Sequence, residues 1–421
     1  MGNNNLTITN LKYSMLIMGG GGVLTVLGIV MQVLRGAMNA FSKKTVYDLP
    51  TLIIIIGIIV AIYGLSQALR ARRIGGEIVF SNKGVGKFMT NYAIFISLFV
   101  LILVICFIEP RFLQIRVILD ILTISSPRLI IAAGICFSLL IAGTDLSAGR
   151  MVGLAAVVTT SMLQNPDYAN RFWPDLPQLP VFLPILIALA ACMCFGTVSG
   201  FLVAKYEMHP FIATLAVQVM VYGVCSLYYD TKYNSSQPIG GVRPDFSGIG
   251  QAKLLTIQNS EGQTVFPGIS VLVPIAVAVA VILWFLLNKT TFGKNVYAIG
   301  GNREAAIVSG VNVFRTVLLI FVLGSATFGL GGVLEAARTA GATNNYGLGY
   351  ELDAIAACVV GGVSLMGGIG RISGVVSGVL LFSTIQYGLQ FINVSPMWQQ
   401  VIKGIIIAVA VAIDMTKYRK R

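Results

Sequence analysis

Two apolar runs, residues 270–287 and 316–336, enclose the polar segment KTTFGKNVYAIGGNREAAIVSGVNVFR, which occupies residues 289–315. This segment carries a short helix signal. Asn302 is a residue type that caps helix N-termini, and Glu304 lies in the first turn, where the helix dipole favours an acid. Gly310 can end the same helix. Because a helix of roughly two turns is unstable alone in water, the sequence predicts that it docks on a surface.

The composition indicates a membrane protein. Hydrophobic residues make up 56% of the 421-residue chain and charged residues only 11%, and the mean hydropathy is +0.85. A soluble domain has about 25% charged residues. Runs of ~20 apolar residues, the length needed to cross a ~30 Å hydrocarbon core, recur along the chain, and the alternating pattern of barrel strands is absent. The predicted fold class is therefore an all-α, multi-pass protein embedded in a lipid bilayer.

The formal net charge of +13 raises nucleic acid as a possible partner. The basic residues, however, lie in short segments between apolar runs, which is typical of cytoplasmic loops, so no nucleic acid is expected. The six cysteines fall in or beside apolar runs and are interpreted as small buried hydrophobes. Cys192 and Cys194 are too few for a zinc site, and His209 is the single histidine. No metal and no cofactor is expected in this chain.

The basic stretch of residues 70–89 sets the predicted orientation, because Lys and Arg concentrate in cytoplasmic loops. Two apolar runs precede this stretch, and ten predicted spans follow it. Alternation then places residues 143–147, residues 288–315 and the C-terminus inside the cell. The ten predicted spans are residues 90–108, 118–142, 148–163, 181–204, 211–229, 270–287, 316–336, 353–366, 372–391 and 397–414.

A weak internal repeat interrupts two of the apolar runs. AGTDLSAGRMVG (residues 142–153) is echoed by GGVSLMGGIGRISG (residues 361–374), and each combines Gly, Ser and a basic residue. Duplication and chance similarity in a Gly-rich sequence are equally open. In either case, Gly-interrupted helices in corresponding positions indicate a translocation path, since irregular backbone at membrane depth needs protein or water around it.

Several ionisable residues lie in or beside the predicted spans, where lipid is a costly neighbour. Glu335 and Arg338 are spaced to pair on one helix face. Asp145 can cap the helix that follows it, and Lys403 can extend toward the membrane surface. The remaining members of this set are Arg128, Arg150, Glu351 and Asp353.

The segment of residues 336–352 is polar, rich in Gly and predicted to lie outside the membrane. Asn344, Asn345 and Tyr346 are side chains that hydrogen-bond or stack on sugars, although an ordinary loop is an equal alternative. Enzymatic chemistry is disfavoured. GVGK (residues 84–87) lacks the earlier glycine of a phosphate-binding loop, and a single histidine supports no catalytic set.

Five stretches of the chain resemble the permease subunits of ribose- and galactose-type ATP-binding-cassette sugar importers, from about residue 90 to the end. Within that family, GTDLSAGR (residues 143–150), SLYYD (226–230) and ATNN (342–345) are most similar to the galactose-type members. The five stretches are TDLSAGRMVGLAAVV (144–158), PFIATL (210–215), TTFGKNVYAIGGNREAAIVSGVNV (290–313), YELDAIAACVVGGVSLMGGIG (350–370) and WQQVIKG (398–404).

The resemblance implies about ten transmembrane helices in residues 90–421, two permease copies in the inner (cytoplasmic) membrane, and two partner proteins. One partner is a cytoplasmic ATPase, which binds the ATP, and the other is a periplasmic or extracellular sugar-binding protein. Residues 1–89, with two further predicted transmembrane helices, depart from the family pattern as an N-terminal extension. By resemblance, the coupling segment of residues 289–315 docks on the ATPase through Gly301, Asn302, Glu304, Ala305, Ala306 and Gly310.

The candidate translocation path combines polar residues of the Gly-interrupted segments with ionisable residues near the spans. These candidates are Asp145, Ser147, Arg150, Asn344, Asn345, Tyr350, Asp353 and Ser364. The leading hypothesis is a pore-forming permease for galactose, methyl-galactoside or a related monosaccharide. A stand-alone secondary transporter or channel for a small polar solute is the alternative, and a structural membrane protein is the third class.

Overall fold

The computed structural model describes residues 102–258 and 264–418, and these residues are mostly helical. Both apolar runs predicted before residue 70, and most of the predicted span 90–108, lie outside the described residues. Residues 102–108 are helical, and a 3-10 turn follows at Pro110–Leu113. In chain order the later helices are α1 (Ile115–Leu140), α2 (Ala148–Met162), α3 (Phe182–Tyr206), α4 (Pro210–Tyr229), α5 (Pro244–Gln251), α6 (Leu272–Lys289), α7 (Thr291–Gly301), α8 (Arg303–Val308), α9 (Val313–Thr339), α10 (Tyr350–Val360), α11 (Ile372–Phe391) and α12 (Pro396–Tyr418).

The described β-structure is confined to four short strands between α5 and α6. Strand β1 (Lys253–Leu254) pairs antiparallel with β4 (Ile269–Ser270), and β2 (Ile257–Gln258) pairs antiparallel with β3 (Thr264–Phe266). No closed sheet forms in the described part of the chain. The predicted all-α membrane fold is therefore confirmed.

Among the described residues, six helices are long and apolar enough to cross a membrane: α1, α3, α4, α6, α9 and α11. The predicted span 353–366 is wrong, because α10 has only 11 residues. Its length of about 16 Å is half of what a ~30 Å hydrocarbon core requires. The helix stops where Gly362 adopts a φ of +87°, a conformation that glycine permits and that ends α-helices. Helix α2, with 15 residues, is also short of a full span.

Helix α9 is the centre of the bundle and packs against α1, α2 and α3. Close approach depends on glycine. A Cβ on Gly332 would lie 2.4 Å from the carbonyl oxygen of Val152, and one on Gly196 would lie 2.1 Å from Ser325 Oγ. Small residues let helix backbones approach where no hydrophobic force drives helices together. The glycine content of these helices therefore serves packing.

The chain divides into two compact units. One comprises Met1–Gln114 with Gly388–Asn393, and the other comprises Ile115–Tyr387 with Val394–Arg421. Within the first unit, the ring of Phe112 meets the ring of Phe391 edge to face, with centroids 5.6 Å apart. The residues discussed below all belong to the second unit.

All six cysteines are free, and five of them are buried, as predicted. Cys194 is the exception, because it lies on a face of α3 whose apolar side chains, such as Met193 and Val198, are also exposed. The prediction that every cysteine is buried is wrong at this position. An apolar helix face of this kind is what a lipid-facing surface requires.

Candidate translocation path and coupling segment

The coupling segment folds into two short helices, α7 and α8, although the sequence predicted only one. The predicted caps of α8 are confirmed. Asn302 Oδ1 accepts a hydrogen bond from the backbone N–H of Ala305 at 2.9 Å. At the other end Gly310 has a φ of +81°, and Val311 N–H donates to the Ala306 carbonyl. These local bonds satisfy backbone groups that a six-residue helix leaves open.

Helix α8 has one face on its own protein and one face in the open. Ala306 is buried in an apolar cluster with Val203 and Phe321. Arg303 forms an ion pair with Glu207, at 2.8 Å between Nη2 and Oε1. Opposite this contact, Gly301, Glu304, Ala305, Ile307 and Val308 are exposed, Val308 to 89%. The acidic Glu304 and the apolar Val308 are therefore exposed on a helix whose other face is packed against its own protein.

At one glycine junction the coupling segment meets the last residue of α1, just before the first member of the predicted repeat, and the second member of the repeat. The backbone N–H of Gly368 donates to the Leu140 carbonyl at 2.8 Å. A Cβ on Gly300, near the end of α7, would lie 1.7 Å from that carbonyl oxygen and 2.7 Å from the nitrogen of Gly368. Tyr297 also donates its hydroxyl hydrogen to the Gly370 carbonyl at 2.8 Å. The end of α7 therefore lies against the end of α1 and against the loop after α10.

Asp145 and Ser147 organise the loop between α1 and α2. Asp145 is 2% exposed, and its Oδ1 accepts from the Ser147 backbone N–H at 2.9 Å and from Ser147 Oγ at 2.6 Å. The predicted cap by Asp145 is thus wrong in detail, because its carboxylate accepts from Ser147, the residue before α2, and not from a backbone N–H in the first turn of α2. Burial raises the pKa of Asp145 to about 6, while the bonds to Ser147 act in the opposite direction.

Ser364 occupies the corresponding loop of the second repeat member. It is 1% exposed, its N–H donates to the Ile369 carbonyl at 2.8 Å, and its Oγ accepts from Met366 N–H at 3.2 Å. The Ser364 hydroxyl therefore stabilises the conformation of the loop after α10. Asp145, Ser147 and Ser364 are held by local bonds in the two loops that border the glycine junction.

The polar segment predicted at residues 336–352 is not a simple external loop. Its first residues complete α9, and residues 340–349 then run along α2 before α10 begins. Ala342 exchanges two backbone hydrogen bonds with Ile239, both at 3.0 Å. Further on, a Cβ on Gly153 would lie 2.6 Å from the Tyr346 carbonyl oxygen, and one on Gly149 would lie 2.4 Å from that of Gly347. Because Gly149 and Gly153 have no Cβ, the non-helical backbone of residues 340–349 can pack directly against α2.

Among the predicted path residues, Asn345 contacts Arg150, and its neighbour Asn344 contacts α4. The Arg150 guanidinium lies over the ring of Tyr222, 4.1 Å from its centroid, and its Nη1 donates to Asn345 Oδ1 at 3.4 Å. Asn344 Nδ2 donates to Ser226 Oγ at 3.3 Å. Tyr222 and Ser226 were not predicted as site residues, although their spacing of four on α4 places them on one face.

Tyr350 and Asp353 belong to a different set of contacts, which fixes α10. Tyr350 donates its hydroxyl hydrogen to Glu335 Oε1 at 3.1 Å, and the predicted Glu335–Arg338 pair forms at 2.8 Å. Lys403 Nζ lies 2.8 Å from Asp353 Oδ1, so its predicted extension toward the membrane surface is wrong. A buried Asp353 carboxylate without a cation would be strongly destabilising, so the Lys403 side chain pairs with it and does not extend to the membrane surface.

Two further side chains extend this network around a small cavity. Gln386 Nε2 donates to Asp353 Oδ2 at 3.1 Å, and Arg128 donates to Gln386 Oε1. The cavity is lined on its polar side by Arg128, Tyr350, Asp353 and Ser383. No group of three potential metal ligands occurs in the described ranges, 102–258 and 264–418.

Comparison with known proteins gives the class of the molecule. Residues 117–411 match the family described as branched-chain amino acid transport system / permease component. The chain is 46% identical over 334 residues to the galactose/methyl galactoside import permease protein MglC of Escherichia coli (strain K12), covering 79% of this chain and 96% of that relative. It is 34% identical over 334 residues to the ribose import permease protein RbsC of Haemophilus influenzae, with 79% and 96% covered. No solved structure matches the chain.

The chain belongs to this permease family. It is therefore a multi-pass membrane transport component and not an enzyme, and six helices in the described part of the chain are long and apolar enough to cross the membrane. The resemblance found in the sequence motifs is confirmed.

Proposed function

We propose that the chain is the pore-forming subunit of an ATP-driven importer for galactose, methyl galactoside or a related monosaccharide. Two copies form the pore in the cytoplasmic membrane, a separate ATPase binds ATP on the inner side, and a soluble sugar-binding protein delivers the sugar from outside. The similarity to galactose/methyl galactoside import permeases supports the substrate class. The observation that supports a separate ATPase as the energy source is the exposed face of α8.

Helix α8 is the part of the chain that meets the ATPase. Its buried Ala306 and its ion pair to Glu207 tie the helix to the permease, while Glu304 and Val308 remain free for a partner. An exposed apolar side chain next to an acid is complementary to a partner groove that has an apolar base and basic residues at its edge. Gly301, Asn302, Ala305 and Gly310 maintain the fold and exposure of this piece.

ATP binding changes which side of the pore is open. When the two ATPase subunits close, α8 moves with them, and α7 transmits the displacement through the junction at Gly300 to the loops after α1 and α10. Such a pore is a two-state element, and ATP shifts its populations because it favours one state. Asp145, Ser147 and Ser364 lie in the displaced loops, while Arg150, Asn344, Asn345, Tyr350 and Asp353 lie farther along the candidate path.

The proposal is tested on the reconstituted importer in vesicles, with its ATPase and sugar-binding protein. Glu304→Lys is expected to lower ATP-driven galactose uptake and sugar-stimulated ATP hydrolysis by about tenfold, equivalent to ~1.4 kcal/mol of lost docking free energy. Insertion into the membrane is expected to be unchanged, because Glu304 is exposed.

Asp175→Lys is the matched control, since it reverses a charge at an exposed position on the predicted opposite side of the membrane. It is expected to leave ATPase stimulation unchanged. Unaltered uptake and ATP hydrolysis in Glu304→Lys would contradict the assignment of α8. Galactose uptake by this chain alone, driven by a proton or sodium gradient, would favour the stand-alone transporter instead.

A further inference from the structure

Helix α4 carries its polar side chains in a single row. Thr214, Gln218, Tyr222 and Ser226 are spaced four residues apart along a helix that is otherwise apolar up to Ser226. Residues at this spacing are neighbours on a helix surface. The row begins at the loop after α1, where Thr214 Oγ1 accepts from Leu146 N–H at 3.1 Å. It ends at Ser226, which contacts Asn344.

The middle of this row lies within a membrane-crossing helix and is open to the surroundings of the chain. Tyr222 is 38% exposed, and it lies about 18 Å along the axis from Pro210 and about 10 Å from Tyr229. A guanidinium, that of Arg150, rests on its ring. A cation at this depth is costly against lipid and normally faces a partner or a water-filled space. Tyr222, the exposed member of the row, is therefore not on a lipid-facing surface, while Gln218 and Ser226 beside it are half-buried and Thr214 is buried.

The flanks of the same helix contrast with this row. Val219 is 65% exposed and Val224 is 47% exposed, and both are purely apolar. Helix α4 thus presents two kinds of open surface, one apolar and one polar. The polar row faces the segment of residues 340–349, because Ser226 contacts Asn344. Asn345 of the same segment contacts Arg150.

We propose that Gln218, Tyr222 and Ser226, together with Arg150, Asn344 and Asn345, form a sugar-contacting wall of the translocation path. This inference rests on the proposed function and adds the side chains that recognise the sugar. Amide, hydroxyl and guanidinium groups supply donors and acceptors for sugar hydroxyls, and the tyrosine ring supplies a flat apolar face for the C–H side of a pyranose.

The contacts within the wall are suited to exchange with a passing substrate. The Arg150–Asn345 hydrogen bond is long, at 3.4 Å, and lies at the exposed surface. From Gln218 to Ser226 the polar groups extend about 12 Å along the helix. Transport requires binding that is favourable enough to enter and weak enough to leave, and a series of modest sites provides this.

The test is the reactivity of introduced cysteines in the complete importer, with Cys194→Ala as the background because Cys194 is the exposed native thiol and the other five are buried. Gln218→Cys, Tyr222→Cys and Ser226→Cys are treated with a cationic, membrane-impermeant methanethiosulfonate. Thiols react as thiolates, which form in water and not in lipid. We expect these three positions to react at least tenfold faster than Val219→Cys and Val224→Cys. Galactose-loaded binding protein with ATP should slow the reaction.

Reaction rates in the polar row equal to those at Val219 and Val224 would overturn the inference and indicate that the row packs against protein, such as a second copy. Fast reaction without any protection by galactose would also overturn it, because the row would then contact water but not the sugar. Wild-type uptake is measured in parallel. Failure of that uptake would reject the proposed importer, whereas intact uptake with unreactive cysteines would reject only the wall. If Tyr222→Cys does not assemble, Gln218→Cys and Ser226→Cys carry the test.

Discussion

At the residue scale, charges inside the bundle are retained by specific partners. The side chains of Asp353 and Lys403 are 10% and 20% exposed and lie 2.8 Å apart. An exposed pair, Arg303 with Glu207, has the same distance but side-chain exposures of 37% and 69%. The two pairs differ in solvent access, so the cost of breaking them differs as well.

Removal of Lys403 is therefore expected to be severe, and removal of both partners mild. Lys403→Met leaves the Asp353 carboxylate buried without its cation, which should cost about 3 kcal/mol of stability. The double variant Lys403→Met/Asp353→Asn should recover most of this loss. The measurement is the thermal unfolding midpoint of the purified protein. Arg303→Met, which breaks the exposed pair, should shift the midpoint little. Equal losses in the single and double variants would contradict a specific pairing.

Asp145 is expected to give a pH-dependent stability. Its folded pKa of about 6 lies above its ordinary value of 3.8, so the folded protein holds the proton more tightly than the unfolded chain does. The contribution of Asp145 to stability should be greatest below pH 3.8 and should fall as the pH rises to about 6, by roughly 3 kcal/mol in total. Asp145→Asn removes this titration while its amide oxygen can still accept from Ser147. Its advantage in unfolding midpoint should grow across this window and be constant above it; an advantage independent of pH would exclude the carboxyl as its source.

At the scale of elements, α7 and the two repeat loops are in close backbone contact. Their backbones approach so closely at Gly300, Gly367 and Gly368 that side chains are excluded, and Gly367 and Gly368 have positive φ values of +82° and +70°. Rigid backbone contact transmits displacement because packed interfaces do not deform continuously. In the proposed mechanism, the coupling of α8 to the pore depends on these glycines.

Gly300→Ala should uncouple the importer. Its Cβ would lie 1.7 Å from the Leu140 carbonyl oxygen, so α7 must separate from both loops. We expect galactose uptake to fall at least tenfold while the ATPase still co-purifies with the permease, since the exposed face of α8 is unchanged. Gly248→Ala is the matched control, because a Cβ there meets nothing within 4 Å. Normal uptake in Gly300→Ala would show that the junction does not transmit the motion.

At the scale of the whole molecule, the family match begins at residue 117, and the second compact unit begins at Ile115. We expect a chain that lacks residues 1–80 to insert, to assemble with the ATPase and to import galactose at a rate close to that of the full chain. Uptake is measured in vesicles at matched protein amounts. A loss of transport with normal insertion would assign these residues a function in the transport cycle.

The sequence by itself determined the class of the protein and the caps of α8. Apolar runs of ~20 residues are dictated by the bilayer, and a cap such as Asn302 depends on residues only three positions away. Only the tertiary structure decided that α10 is a half-length helix, that residues 340–349 run along α2, and that Lys403 pairs with Asp353. These features depend on contacts between distant residues; Lys403 and Asp353, for example, are 50 positions apart. Local patterns report a residue's own conformational and hydrophobic preferences, whereas the partner of a buried charge is selected by how the helices pack.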